Sequence, residues 1–110
     1  MIAEMVTLKL SKEFSRDAAL ADARTAFEHW TDFPGLVRKH FLYGGDGCLY
    51  GFYIWESREA SDRGHNEDWR QNVIARTGNP PQSQYFDVMA TVDNQRGVVE
   101  EFGAPAEAAE

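Results

Sequence analysis

The sequence predicts an α+β domain of the split β-α-β kind: one four-stranded antiparallel sheet with both helices on one face. Three observations carry the prediction. Two runs rich in branched and aromatic residues flank Gly44-Gly45-Asp46-Gly47, a strong hairpin signal, because glycine reaches the positive φ angles of a tight turn. Stretches with apolar residues at helical spacing stand on either side of that hairpin. Short segments of period-two alternation close the pattern at both ends.

In chain order, Met5 to Leu10 alternates, with Val6, Leu8 and Leu10 on one side and Thr7 and Lys9 on the other. Ser15 or Asp17 is placed to cap the following helix, whose apolar stripe is Leu20, Ala23, Phe27 and Trp30. Phe33-Pro34-Gly35 ends it and turns the chain into the hairpin. A two- or four-residue hairpin loop puts Leu36, Arg38, His40 and Leu42 on one face beside Leu49, Gly51, Tyr53 and Trp55. A three- or five-residue loop shifts these partners. Ser57 caps a short helix that Gly64-His65 interrupts. Asn66 caps a second piece, with Trp69 and Val73 on its stripe and Gly78 before Pro80-Pro81 as its stop. Gln84 to Val92 alternates again. These elements define one domain over residues 1–93 and an acidic, Ala-rich tail over 94–110 with Val98, Val99 and Phe102 as its only anchors. Both faces of the hairpin are apolar, so the face away from the helices needs cover. A second copy packed sheet against sheet supplies it.

The composition narrows the functional classes. With 110 residues, the chain supports a single core. Its 18 acids against 11 bases, a net charge of −7, disfavour nucleic acid and anionic membrane as partners. No apolar run reaches transmembrane length, and the first residues do not read as a signal peptide. The single cysteine, Cys48, has no internal disulfide partner, and a cytoplasmic setting is the expectation.

Several segments also resemble a known family. Pro34-Gly35-Leu36, Lys39-His40-Phe41-Leu42 and the run from Gly51 through Trp55-Glu56-Ser57-Arg58-Glu59-Ala60 are similar to the ferredoxin-like dimeric α/β-barrel proteins. Within that superfamily they are most similar to small proteins related to antibiotic-biosynthesis monooxygenases. Asp68-Trp69-Arg70 and Gly78-Asn79-Pro80-Pro81 occur in comparable places. The resemblance spans roughly residues 3–93 and implies a homodimer joined sheet to sheet into an α/β barrel. It also implies a superfamily of mixed chemistry: cofactor-free oxygenases, haem degraders, muconolactone isomerases, chlorite dismutases and members without known activity. The haem-degrading branch carries a histidine where this chain has Val73, Ile74 or Ala75, a departure that counts against haem degradation.

The candidate site residues follow. His40, opposite Gly51 in the expected register, has room beside its ring for a ligand and suits proton transfer at neutral pH; the competing assignment is a half-buried core histidine. His65, at the helix break beside Asn66, either lips a pocket entrance or is a solvated loop residue. Tyr53, Trp55 and Trp69 either wall a pocket for a flat substrate or are plain core. Lys39 and Arg38 fall on opposite faces, and whichever points inward needs a partner such as a carboxylate or a substrate enolate. The family resemblance draws attention to Lys39. No His-x-x-x-His spacing, phosphate loop, nucleophile elbow or nucleotide fingerprint occurs, so neither metal nor cofactor is expected. The sequence-level expectation is thus a cofactor-independent monooxygenase-like enzyme acting on a small aromatic or conjugated molecule. Its bases would be His40 and His65, and its substrate contacts Lys39, Tyr53, Trp55 and Trp69. The alternatives are a non-catalytic ligand-binding or stress-related dimer, and an isomerase or decarboxylase using the same pocket.

Overall fold

A computed structural model describes residues 1–10 and 12–105. Strand β1 (Ile2–Lys9) leads to helices α1 (Arg16–Arg24) and α2 (Phe27–Trp30), then to the hairpin strands β2 (Leu36–Tyr43) and β3 (Cys48–Trp55). Helices α3 (Arg58–Gly64) and α4 (Glu67–Thr77) precede β4 (Gln82–Asp87), and a second hairpin follows, β5 (Ala90–Asp93) and β6 (Val98–Glu101). The main sheet has the order β2-β3-β1-β4 and is antiparallel throughout. This is the ferredoxin-like arrangement expected from the alternation and spacing.

Local chemistry sets the helix limits. The side chains of Ser15, Ser57 and Asn66 accept from the backbone N–H groups of Ala18, Ala60 and Trp69 at 3.1, 3.2 and 2.9 Å, so each of these three helices starts on a satisfied cap. Gly78, at φ 82°, closes α4 in the left-handed conformation that glycine adopts without strain. The first helix does not run unbroken to Trp30. The Thr25 hydroxyl donates to the Asp22 carbonyl at 2.6 Å, competing with helix continuation, and the chain restarts at Phe27. Phe27 consequently lies 44% exposed rather than on the buried stripe.

Two departures from the sequence expectation matter for the site. Between Leu36 and Arg38 the β2–β3 ladder slips by one residue, and at the far end five residues, Gly44 to Cys48, lie between the last paired residues, Tyr43 and Leu49. Lys39 therefore pairs with Tyr53 and Phe41 with Gly51, while His40 pairs with Phe52. A one-residue slip moves every side chain to the opposite face. Lys39, Phe41 and Tyr43 thus share the helix-covered face with Tyr53 and Trp55, whereas Arg38, His40 and Leu42 lie on the uncovered face. The second departure is at the end of the chain. Where alternation predicted one strand from Gln84 to Val92, β4 stops at Asp87, and Ala90–Asp93 pairs with Val98–Glu101 instead. Part of the expected tail is thus a strand; Glu107 and Glu110, which give it much of its acidity, lie outside the described residues.

The core lies between sheet and helices and is built on Ile2, Val6, Trp30, Tyr53, Trp55 and Ala60. The close approach of α3 requires Gly64: a Cβ there would stand 2.7 Å from the Trp55 ring and 3.1 Å from that of Trp30. The uncovered sheet face presents Leu42 and Phe86, 40% and 48% exposed, beside Phe52 and Ile54. Among the described residues, no helix is long and apolar enough to cross a membrane.

Candidate functional site

A cavity of about 900 Å³ opens between the helices and the covered face of the sheet. Val6 and Leu8 of β1 form part of its floor, and Trp30, Phe41, Tyr53 and Trp69 are among its walls. Gly51 keeps the floor low, because a Cβ there would meet the Tyr53 ring at 2.9 Å and the Lys39 stem at 3.3 Å. The space that glycine leaves is therefore filled by Lys39 and Tyr53, not by His40.

Lys39 carries its charge into this aromatic setting. Its Nζ lies 4.0 Å from the ring centre of Phe41, 4.6 Å from that of Tyr53 and 5.0 Å from that of Trp30. Such faces attract a cation but do not replace a carboxylate. Among the described residues no acidic group comes within ion-pairing distance of it. Burial lowers its pKa from 10.5 to about 7, with Asp22 opposing the fall and Arg76 adding to it. Lys39 also lines a second hollow, of about 290 Å³, between α2 and β2.

Behind the aromatic wall lies a polar cluster centred on Glu4, which is fully buried. Its Oε1 accepts from Trp55 Nε1 at 3.0 Å, from Ser61 Oγ at 2.8 Å and from His65 Nδ1 at 2.9 Å. Tyr85 Oη lies 2.8 Å from Ser61 Oγ; since the serine proton is committed to Glu4, the tyrosine donates. Burial works against ionisation of Glu4, but the hydrogen bond and charge of His65 and the neighbouring hydroxyls outweigh it and bring the carboxyl down to about 2. An ionised carboxylate only accepts, so Nδ1 of His65 carries a proton and Nε2 bears the lone pair whenever the ring is neutral. Nε2 and Glu4 Oε2 are both buried and have no hydrogen-bond partner among the described residues. The His65 ring stacks on Trp69 at 4.0 Å and meets Tyr53 edge-on at 4.5 Å, so one aromatic layer separates it from the cavity.

The six residues singled out from sequence therefore divide. Lys39, Tyr53 and Trp69 come together around the cavity. Trp55, 0% exposed, is core and bonds Glu4. His65 is neither a pocket lip nor a solvated loop residue, because its Nδ1 is tied to a buried carboxylate. His40 lies on the uncovered face near Phe52, since the bulge reversed the expected parity. Sequence reasoning missed Glu4. The signal was present in the alternation Ile2, Glu4, Val6, Leu8, once the strand is started at Ile2 rather than Met5. Also unassigned was His29, which lines the cavity and packs on Trp30 at 4.5 Å. Among the described residues no three His, Cys, Asp or Glu side chains converge to hold a metal ion.

Comparison with known proteins defines the fold class. No family model matches the chain, and no curated protein does. Solved structures do. A monooxygenase from the gene ActVA-Orf6 of Streptomyces coelicolor, crystallised with the ligand nanaomycin D, matches over 83% of this chain and 89% of its own, with a TM-score of 0.63 at 15% identity. The NE2512 protein of Nitrosomonas europaea, of unknown function, matches over 83% and 91%, with a TM-score of 0.62 at 18% identity. A proposed antibiotic biosynthesis monooxygenase of the same organism matches over 81% and 99%, with a TM-score of 0.58 at 16% identity. The chain has the ferredoxin-like fold that these three structures share.

Proposed function

We propose that the protein is a cofactor-independent monooxygenase-like enzyme acting on a flat, conjugated, oxidisable phenol bound between sheet and helices. The observation that carries this is Lys39, an amine without an acidic partner among the described residues, lodged among three aromatic rings at the wall of a cavity large enough for a multi-ring molecule. The fold shared with named monooxygenases, one of them crystallised with nanaomycin D, supports the same reading. Lys39, with a pKa near 7, takes the phenolic proton and the resulting ammonium holds the phenolate. Trp69 and Phe41 stack on the substrate, with the buried Tyr53 ring behind them. The phenolate supplies the electrons: one passes to O₂, the radical pair joins as a hydroperoxide at ring carbon, and loss of water leaves a quinone. One oxygen atom enters the product, the other leaves as water, and the substrate loses two hydrogens. His65, oriented by Glu4, is the second base, reached once the Tyr53–Trp69 layer parts.

A homodimer joined through the uncovered sheet face belongs to the same proposal. It would cover Leu42, Phe52 and Phe86 and place His40 at the interface rather than at the reacting centre. The test is oxygen uptake over a panel of dihydroxynaphthalenes and anthracenols, without added metal or cofactor. Wild-type protein is expected to show saturable uptake above autoxidation, and Lys39→Met, which keeps the apolar stem, to lose at least tenfold. Uptake indistinguishable from autoxidation across the panel would overturn the oxygenase reading in favour of a non-catalytic ligand-binding protein.

A further inference from the structure

The same lysine has a second chemistry open to it. We infer that Lys39 is a nucleophilic amine that captures aromatic aldehydes and ketones in the cavity as a reversible imine. The inference rests on the cavity assigned above but not on oxygen chemistry.

A lysine is ordinarily a poor nucleophile because water and acidic neighbours keep it protonated. At Lys39 both supports are weakened: the residue is half-buried, and among the described residues no acid pairs with it. The stem lies against Gly51, within the space a side chain there would take, and Nζ is surrounded by the faces of Trp30, Phe41 and Tyr53. Asp22, the acid that acts on Lys39 from α1, is bound by Arg76 of α4 at 2.8 Å. That pair neutralises the carboxylate that would otherwise hold the ammonium. Among the described residues, Arg16, His29, Arg63 and Asp68, with Tyr43, Tyr50 and Tyr53, are the remaining titratable groups around the cavity. A pKa of about 7 leaves roughly half of the amine free at neutral pH, against on the order of one in a few thousand for an ordinary lysine.

The reaction is balanced without any oxidant. The amine lone pair attacks the carbonyl carbon, the π electrons move to oxygen, and proton transfer from nitrogen to oxygen gives a carbinolamine. Loss of water then forms the C=N bond. The aromatic cage favours an aryl carbonyl, whose ring stacks where the indole and phenol faces already lie.

The sequence makes the test clean, because the chain has only three lysines: Lys9, Lys12 and Lys39. Whole protein is incubated anaerobically with 2-hydroxy-1-naphthaldehyde and sodium cyanoborohydride, which fixes the imine as a secondary amine, and the site is read by peptide mass spectrometry. One adduct on Lys39 is expected, at least tenfold faster than on Lys9 or Lys12, with a rate that rises through pH about 7. Lys39→Arg should abolish it while the circular dichroism spectrum stays unchanged. Gly51→Ala, which pushes on the lysine stem, should slow it severalfold. Labelling spread over all three lysines and the N-terminus, or a Lys39 rate that climbs only above pH 9, would overturn the proposal. The pH profile is taken on the wild-type chain, so it decides the question even if a variant fails to fold. Anaerobic conditions keep it separate from the oxygenase test: adducts without oxygen uptake, or uptake without adducts, each decide one question alone.

Discussion

Replacing Glu4 by Gln tests the buried cluster behind the cavity. Glutamine keeps the shape and one carbonyl oxygen for Trp55, Ser61 and His65, so the change removes charge while sparing packing. The wild-type carboxyl ionises at about 2 instead of 4.5 because the folded state supplies His65 and the hydroxyls. A carboxyl whose folded pKa is depressed contributes stability above its unfolded pKa and loses it as pH falls through the folded value. Over that span the contribution is about 3 kcal/mol at pH 7, of which about 2 kcal/mol is gone by pH 3. Urea unfolding followed by tryptophan fluorescence should therefore show E4Q less stable than wild type by about 3 kcal/mol at pH 7, shrinking to about 1 kcal/mol at pH 3. Other carboxylates titrate in both proteins and cancel in the difference. A gap under about 0.5 kcal/mol at pH 7, the size of an ordinary surface change, would show that the Glu4 charge does not stabilise the fold, as would a gap that stays constant or widens in acid.

Other consequences are simpler. Gly64→Ala places a methyl group 2.7 Å from the Trp55 ring and should cost about 1–3 kcal/mol by overpacking; an unchanged melting temperature would show that α3 shifts freely. Phe52→Glu charges the uncovered sheet face, and light scattering should show a folded monomer for the variant and the proposed dimer for the wild type; a wild-type monomer at tens of micromolar would exclude the dimer. Phe41, by contrast, lies on the cavity side, so a charge there should disturb ligand binding rather than association.

The fold was largely legible because its signals are local. Ser57, Asn66 and Gly78 marked helix ends by cap chemistry, and the structure uses all three. The Gly-rich turn marked the hairpin for the same reason. What escaped was parity. A bulge at Val37 cannot be read from apolar content when both faces of a strand are apolar, and that one residue exchanges His40 for Lys39 at the cavity. Glu4 escaped for a related reason: an acid near a strand start reads as an edge residue until a partner for its charge is known. That partner, His65, is 61 residues away in sequence and meets it only through the fold. The β5–β6 pairing was likewise hidden, since Val92 and Val99 stay 69% and 72% exposed and offer no burial pattern to read.

The most direct measurement of oxygen transfer in this cavity follows the oxygen atoms themselves. A dihydroxynaphthalene that supports oxygen uptake is turned over under ¹⁸O₂, and the quinone product is weighed by mass spectrometry, corrected for carbonyl exchange with water. One ¹⁸O atom per product molecule is expected with wild-type protein, and far less product with Lys39→Met. Product without ¹⁸O, accompanied by hydrogen peroxide in equal amount, would mean that the cavity only oxidises its ligand and transfers no oxygen, contradicting the monooxygenase assignment.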